Sequence, residues 1–424
     1  MTDRECASHA FCDLLELAAI GATGKKVLIR VEDWPAVIKL SQEQFVLPLV
    51  GIALLKNPEI DCPEDLRSRV IEIARSQSSA NLIRKHRILN LLHEMEEAGL
   101  HAQLIKGYPI GECYAFPESR GSNDTDILIS PDQEEAVCAF LRHLGFRVDK
   151  RGNTSHHAIG QHTKLGMVEI HVQLYAELMQ EVWFQDGKKD IEIKEDYIRI
   201  ETDHTPYSSL GHTDHLLFLT LHTIKHFIFS GMGIRMMLDM ALYYSKHKNE
   251  IDLKRYWRIL DELRYTDFVN AVFWSLIDTG IFDISDFAGI SSERPLGIQE
   301  LLYDLEVGGH MGINGSWPDG LYEYSRRLLM RSKSLGQYRI YMIRMKLRDA
   351  YQNMFPDKEG LCRIYPILNK HGQLLAIFRV YRMFSYPIQK ICSGALRKQL
   401  RSGSSDMPEE AKRRVDLFKT LGMI

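Results

Sequence analysis

The spacing of apolar residues along the chain changes twice, and these changes separate helical regions from a region of short strands. Residues 1–95 carry apolar positions at helical spacing, and Gly99 is predicted to end the last of these helices. From about 100 to 205 the pattern is that of strands, and after 210 helical spacing returns. The predicted strands are 102–105, 125–130, 146–148, 167–174 and 197–202, with a helix at 134–144.

This order of elements predicts an α+β fold, in which a small mixed-sheet core is flanked by N-terminal and C-terminal helical regions. A chain of 424 residues is long for one domain, so we divide it into four regions, with a glycine-rich linker at 307–320. The regions are an N-terminal helical region (1–95), an α/β core (96–210), a helical domain that closes the site (211–306) and a basic C-terminal helical region (307–424).

Composition excludes several classes of protein. With 45% hydrophobic residues, 26% charged residues and a net charge of −3, the chain is typical of soluble globular proteins. Its seven cysteines are scattered and never form a CxxC pair, which favours reduced thiols over disulfides or a zinc site. The apolar run 45–55 is too short to cross a bilayer, and the N-terminus lacks the basic start of a secretory signal. We therefore expect a cytoplasmic protein without a transmembrane segment.

One region departs strongly from the average charge. Residues 325–401 contain seventeen lysines and arginines but three acidic residues, with tyrosines and phenylalanines between them. Such a surface could bind RNA, an anionic membrane surface or a polyphosphate. The alternative is a solvated helical face that docks on the acidic remainder of the chain.

The segment 120–129, Arg-Gly-Ser-Asn-Asp-Thr-Asp-Ile-Leu-Ile, carries the strongest chemical signal. Asp124 and Asp126 are two positions apart at the start of a predicted strand, so both carboxylates point to the same side. Two carboxylates so close together need a cation, and Mg²⁺ prefers oxygen ligands. Glu169, flanked by apolar residues on another predicted strand, is a candidate third carboxylate for a second metal ion.

Simpler roles for these and neighbouring residues stay open. Asp124 follows an asparagine and could be a turn residue, and Arg120 could pair with one of the two aspartates. His171 shares a strand face with Glu169 and is a candidate site residue, although a lone histidine is more often structural. A predicted solvated loop contains His156, His157 and His162, which could instead contact the substrate.

A later helix carries two histidines on one face. His222 and His226 are four residues apart, which is the spacing of a zinc-binding pair. The metalloprotease signature has a glutamate after the first histidine, where this chain has Thr223, so zinc is not expected. We expect this helix either to close one wall of the site, with Lys225 or His226 near a phosphate, or only to pack.

Several of these motifs, taken in order, resemble a known family. They are similar to the motifs of a bacterial branch of uncharacterised nucleotidyltransferases, within the DNA polymerase beta-like nucleotidyltransferase superfamily. That branch has an L-K-G turn, an R-x(3)-D-x-D strand, an h-E-h-H strand, and helices with H-x(2)-K-H and D-h-A. The matching segments are 104–107 (LIKG), 120–129, 168–171 (VEIH), 219–226 (LTLHTIKH) and 238–241 (LDMA).

The resemblance implies a small mixed-sheet nucleotidyltransferase core and a Mg²⁺ cofactor, with Mn²⁺ as an alternative. Asp124 and Asp126 would bind the metal together with the triphosphate of an NTP. Glu169 would help to hold a second ion and favour deprotonation of the acceptor hydroxyl. The candidate nucleotide-binding residues are Lys106, Gly107, Arg120, His171, Lys225 and His226.

The chain departs from the superfamily at two points. Tyr108 follows Gly107 where a serine or glycine is usual, and the third carboxylate is a glutamate.

The implied activity is transfer of a nucleoside monophosphate from an NTP to a hydroxyl or phosphate. The acceptor can be a small molecule, a sugar, a protein or RNA, and a small molecule is preferred. Two alternatives are kept: a non-catalytic nucleotide-binding or assembly protein on the same fold, and a toxin-like enzyme that modifies RNA. The complete set of three carboxylates argues against the first, and the basic region 325–401 is the only support for the second.

Overall fold

The part of the chain that the structure describes is organised around a seven-stranded mixed sheet. The computed structural model describes residues 6–122, 124–149, 157–175, 197–202, 205–309, 354–355, 361, 364–369, 371–392 and 409–423. The strands are β1 (Ala102–Leu104), β2 (Asp124–Ile129), β3 (Arg147–Asp149), β4 (His157–His162), β5 (Gly166–His171), β6 (Tyr197–Ile200) and β7 (Tyr207–Leu210). Their order across the sheet is β3-β4-β5-β2-β1-β7-β6.

Parallel pairing at the centre of the sheet sets the register of the polar residues. β2 runs parallel to β5, and β1 runs parallel to β7, whereas the other neighbours are antiparallel. Asp126 of β2 stands beside Glu169 of β5. On the other side of β5, His157 of β4 stands beside His171. Because side chains alternate along a strand, these acidic and imidazole groups share one face of the sheet.

The opposite face of the sheet is apolar and packs on two helices, α4 (Glu64–Glu97) and α6 (Glu134–His143). Every second residue of the central strands points to these helices, since the strand period is two. The residues of this core are Ile88, Leu89, Leu91, Leu92, Met95, Leu104, Ile127, Ile129, Val137, Cys138, Leu141, Phe146, Ala158, Val168, Ile170, Val172 and Tyr207. The apolar core on one face leaves the other face available for chemistry.

Three helices precede α4: α1 (His9–Thr23), α2 (Trp34–Glu43) and α3 (Leu47–Lys56). α1 begins after Ser8, whose Oγ accepts a hydrogen bond from the Phe11 amide at 3.2 Å. It crosses α3 at very close range, because a Cβ added to Gly21 would lie 2.0 Å from the Leu49 carbonyl oxygen. A larger residue at position 21 would therefore separate the two helices.

The remaining helices follow the sheet, apart from the short α5 (Tyr108–Gly111) between β1 and β2. They are α7 (His212–Phe229), α8 (Ile234–His247), α9 (Leu253–Glu262), α10 (Thr266–Ile277), α11 (Ile298–Gly308), α12 (Leu375–Cys392) and α13 (Glu409–Thr420). α7 and α8 contribute most of their side chains to the interior. None of the helices described is both long and apolar enough to cross a membrane.

The chain divides into two compact units. One comprises Met1–Trp317 and Arg413–Ile424, and the other comprises Pro318–Lys412. The N-terminal helices, the sheet and α7 to α11 thus belong to one unit. In the second unit the described residues include α12. The division into four regions stays a prediction, and most of the basic region 325–401 lies outside the described residues.

The predicted fold class is confirmed, since a mixed sheet is flanked by helices on both sides in the sequence. Two strands were not predicted, β4 and β7. The loop predicted around His157 and His162 is wrong, because both residues belong to β4. The apolar signal of this segment is weak, since its inward positions are Ala158 and Gly160, and pairing with β3 and β5 on both sides stabilises it as a strand. His156 lies outside the described residues.

A buried ion pair holds the segment Arg413–Ile424, which contains most of α13, to the rest of its unit. Arg414 and Asp304 of α11 are each 2% exposed, and Arg414 Nε lies 3.1 Å from Asp304 Oδ1. Arg414 also donates to the Phe227 carbonyl oxygen near the end of α7. Burial lowers the pKa of Arg414 to about 10, although Asp304 favours its charge. One arginine therefore links three helices.

We expect Asp304→Ala to lower the free energy of unfolding by about 3–5 kcal/mol, because it leaves the buried Arg414 charge without its carboxylate. The control is Asp278→Ala, which removes the carboxylate of an exposed pair with Arg294. That change should cost about 1 kcal/mol or less. Urea denaturation followed by circular dichroism measures the free energy of unfolding of both variants. Equal losses of this free energy would contradict a special stabilising role for the buried pair of Arg414 and Asp304.

Candidate functional site

Two aspartates begin β2 on the polar face of the sheet. Ser122 Oγ donates to the main-chain oxygen of Asp124 at 2.8 Å and to its Oδ1 at 3.1 Å. Asp124 is half-buried. The side chain of Asp126, two residues further along, is only 1% exposed. The two carboxylates therefore extend from the rim of this face into the protein.

Two basic groups compensate the charge of Asp126. Lys106 Nζ and His171 Nε2 each lie 3.1 Å from its Oδ1. Burial opposes ionisation, but the Lys106 charge and the His171 hydrogen bond outweigh it and hold the pKa of Asp126 well below its usual range. The other oxygen, Oδ2, is buried and has no hydrogen-bond partner among the described residues. A buried anionic oxygen without a donor is costly, so it is suited to bind a cation.

Glu169 lies beside Asp126 and is surrounded by imidazoles. Its Oε2 lies 3.5 Å from His171 Nε2 and 3.8 Å from His157 Nε2. Burial works against a charge on His171, but hydrogen bonds with Asp126 and Glu169 raise its pKa. Burial lowers the pKa of His157, against the attraction of Glu169. His171 is thus held between two carboxylates, and His157 completes the far side of the cluster.

The turn after β1 brings Lys106 to the aspartates. The Ile105 amide donates to the Asp126 carbonyl oxygen at 3.1 Å, so the chain is still paired with β2 just before Lys106. Gly107 then has φ 81° and ψ −104°, a conformation that is strained for any residue with a Cβ. Burial opposes a charge on Lys106, but Asp126 and the neighbouring carboxylates outweigh it and raise its pKa.

α7 adds basic side chains to this cluster. Lys225 is partly buried, and burial together with the Lys106 charge lowers its pKa, against the attraction of the carboxylates. Burial and the Lys106 charge also lower the pKa of His222 well below its usual value. His226 is buried, and its Nδ1 lies 2.7 Å from Ser230 Oγ at the end of the same helix. Contact of Lys225 or His226 with a phosphate stays a prediction.

Arg120 is paired with α8, and not with either aspartate of β2. Its Nε and Nη2 donate to the two carboxylate oxygens of Asp239, each at 2.7 Å. The Tyr114 hydroxyl donates to the same carboxylate at 2.7 Å. The suggestion of a pair with Asp124 or Asp126 is therefore wrong, because Asp239 offers a buried, two-pronged partner that those residues do not. Direct contact with phosphate stays a prediction for the remaining Nη1, which is buried without a partner among the described residues.

A small cavity of about 20 Å³ lies beside the turn after β1, and its walls include Gly107, Tyr108, Arg120 and Ser122. Since Ser122 also bonds Asp124, this cavity lies near the first aspartate.

The donor set fits a divalent metal ion. Asp124 and Asp126 offer carboxylate oxygens on one face, and Asp126 Oδ2 is the buried oxygen without a partner. Glu169 offers a third carboxylate beside them. Such oxygen ligands suit Mg²⁺ or Mn²⁺.

Several residues of the site were missed from the sequence. His157 belongs to an unpredicted strand, so no periodic signal pointed to it. Tyr114 and Arg235 are polar side chains in buried surroundings, and Arg235 donates to the Gly121 carbonyl oxygen at 2.5 Å. The sequence did single out Asp239, because it is the aspartate of the D-h-A motif. Its partner Arg120 could not be predicted, since it lies 119 positions away.

Comparison with known proteins places these motifs in a family. A family model described as an uncharacterised nucleotidyltransferase matches residues 30–276, which is more than half of the chain. The match contains every site residue described above. No curated protein and no solved structure matches the chain.

We expect Asp239→Asn to destabilise the protein by about 3–5 kcal/mol at pH 6, because it leaves the buried Arg120 charge unpaired. Burial raises the pKa of Asp239, but Arg120 outweighs it and the net shift is downward. The advantage of the native protein over the variant is therefore complete above the usual aspartate pKa of about 3.9 and declines as the pH falls below it. Midpoints of urea denaturation between pH 6 and pH 3 measure the stability of both proteins. A difference in midpoint that does not change with pH would contradict this prediction.

A second prediction concerns the turn at Gly107. A Cβ at this position meets no atom within 4 Å, so only the backbone conformation opposes a side chain. We expect Gly107→Ala to cost about 1–3 kcal/mol. Gly121→Ala is the matched control, because it also meets no atom within 4 Å and has no positive φ. Thermal denaturation of both variants distinguishes backbone strain from loss of space, and equal stability would rule out strain.

Proposed function

The chain belongs to the uncharacterised nucleotidyltransferase family, and from that premise we propose that it transfers a nucleoside monophosphate from an NTP to a hydroxyl or phosphate acceptor. A small molecule is the preferred acceptor. The observation that carries the proposal is the register of β2 and β5, which sets the buried Asp126 directly beside Glu169. Asp126 Oδ2, buried without a hydrogen-bond partner among the described residues, supports a cation at this point.

Asp124, Asp126 and Glu169 would hold divalent metal ions, with Mg²⁺ as the expected ion at the two aspartates. When bound, such ions neutralise phosphate oxygens and lower the pKa of the attacking hydroxyl. Asp126 would use Oδ2 for this purpose, since Oδ1 is occupied by Lys106 and His171. The chain therefore orients one oxygen of Asp126 for a cation and uses the other to fix its own basic groups.

Lys106, Gly107 and Lys225 would bind the triphosphate. Lys106 is positioned by the turn after β1, and Gly107 allows the backbone to approach a phosphate closely. Lys225 forms no ion pair among the described residues, so its ammonium group is available to a second anion. An arriving triphosphate would favour its charged form, because burial and Lys106 lower its pKa in the absence of a ligand.

The proposed reaction is an in-line displacement at the α-phosphorus. The acceptor oxygen forms a bond to this phosphorus as the bond to the oxygen that bridges the α- and β-phosphates breaks, and pyrophosphate leaves. Glu169 takes up the proton of an acceptor hydroxyl. Because Glu169 lies beside Asp126, its carboxylate could both orient the acceptor and receive the acceptor's proton.

The intact carboxylate set supports catalysis over the alternative of a non-catalytic nucleotide-binding protein. RNA or an anionic membrane surface as a partner depends on the basic region 325–401, most of which lies outside the described residues. These partners remain further proposals for the same chain.

We expect Mg²⁺ and one of the four NTPs to raise the thermal denaturation temperature of the full chain, because a ligand that binds only the native state stabilises it. At a concentration of 100 times Kd the gain is about 2.7 kcal/mol. Asp124→Ala should abolish the shift while keeping the fold. The matched control is Asp132→Ala, an exposed carboxylate just after the same strand, which should keep the full shift.

Release of pyrophosphate from that NTP, measured with a coupled assay, tests turnover. It should be lost in Asp124→Ala and kept in Asp132→Ala. Unchanged turnover in Asp124→Ala would overturn the assignment of the site. An NTP-dependent rise in denaturation temperature, with no pyrophosphate release whichever acceptor is added, would favour the non-catalytic alternative.

A further inference from the structure

The polar face of the sheet carries nitrogen ligands as well as carboxylates. His157 of β4, with Glu169 and His171 of β5, forms a group in which one ligand atom from each residue lies within 4.8 Å of the others. The strand register produces this group, since His157 stands directly beside His171. Asp126 adjoins it, because its Oδ1 lies 3.1 Å from His171 Nε2.

The separations of the two imidazoles from Glu169 are close to those of ligands around one metal ion. Zinc binds nitrogen and oxygen at about 2.0–2.1 Å in a tetrahedral arrangement, which puts its ligand atoms about 3.3 Å apart. The observed separations are 3.1 Å from His171 Nε2 to Asp126 Oδ1, 3.5 Å from His171 Nε2 to Glu169 Oε2, and 3.8 Å from His157 Nε2 to Glu169 Oε2. The two separations that involve Glu169 lie near the spacing expected around one ion, whereas the 3.1 Å separation is the hydrogen bond between His171 and Asp126.

The chemistry of the donors distinguishes between metals. Mg²⁺ is a hard cation that takes oxygen ligands and keeps several waters. Imidazole suits zinc, cobalt and other first-row transition ions. A site with two imidazoles and one carboxylate therefore favours a transition-metal dication over Mg²⁺.

We propose that His157 and His171 join Glu169 in a nitrogen-containing site for a divalent transition-metal ion, distinct from the oxygen-only Mg²⁺ position at Asp124 and Asp126. Binding of this ion does not require the proposed function. Only its use in nucleotidyl transfer rests on that function.

A second group of the same composition exists among the described residues and provides a natural comparison. It consists of His212, His247 and Glu250. The rings of His212 and His247 are stacked, with centroids 4.0 Å apart and planes 21° apart. An imidazole nitrogen binds a metal in the plane of its ring, so two nearly parallel rings in contact cannot both direct a nitrogen to one ion. The rings of His157 and His171 are 5.1 Å apart and inclined by 38°, which avoids this obstacle.

The test is a Co²⁺ titration of the metal-free full chain, followed by visible ligand-field absorption, with Zn²⁺ binding measured by calorimetry. We expect His157→Ala to weaken Co²⁺ and Zn²⁺ binding by more than about tenfold. His247→Ala is the matched control and should bind as the native chain does. Circular dichroism checks that each variant is folded, and His157→Gln replaces His157→Ala if that variant does not fold.

Excess Mg²⁺ should not displace the bound Co²⁺, and Asp124→Ala should keep it. Equal Co²⁺ binding by the native chain and by the His157 variant would overturn the proposal, and so would displacement by Mg²⁺ or loss of binding in His247→Ala alone.

The two proposals fail separately. Co²⁺ bands that depend on His157, without any NTP-dependent thermal shift, would support this site and overturn the proposed function. An NTP-dependent shift with Mg²⁺, without Co²⁺ or Zn²⁺ binding, would overturn this site and leave the proposed function standing.

Discussion

The arrangement of the site depends on one buried negative charge, the carboxylate of Asp126. A buried carboxylate is costly unless other groups compensate it, and here Lys106 and His171 converge on the same oxygen. Lys106 arrives from the turn after β1, and His171 from the end of β5. β2, which carries Asp126, lies between β5 and β1 in the sheet, so His171 and Lys106 reach the carboxylate from its two sides. The second oxygen of Asp126 is buried without a hydrogen-bond partner among the described residues, and the proposed metal ion would bind there.

A second buried pair fixes the approach to this strand. Arg120 binds Asp239 through two hydrogen bonds, and the neighbouring Arg235 of α8 holds the Gly121 carbonyl oxygen. Arg120 and Gly121, shortly before Asp124, are thus tied to α8. This pair therefore fixes the chain shortly before Asp124, and rigid support of this kind is what the proposed metal site would need. The R-x(3)-D-x-D and D-h-A motifs then form one structural unit, which the sequence presents as two.

The local features of this fold were predictable and the long-range partners were not. Asp124 and Asp126 precede an apolar strand, and that alternation survives in β2 with its helix-facing Ile127 and Ile129. β4 was missed because small residues occupy its core-facing positions, so pairing with neighbours stabilises the strand more than its own pattern does. The partner of Arg120 lies 119 positions away, and no periodicity in one sequence indicates such a contact.

The two lysines near the carboxylates differ in what holds them. Burial opposes the charge of both, but Lys106 touches Asp126 and its pKa is raised, whereas that of Lys225 is lowered. The difference follows from position, because Lys106 bonds a carboxylate directly and then repels the second ammonium. In the proposed function Lys106 neutralises Asp126, and Lys225 meets the incoming triphosphate. A bound triphosphate would therefore oppose the lowering of the Lys225 pKa, while Lys106 would maintain the position of Asp126.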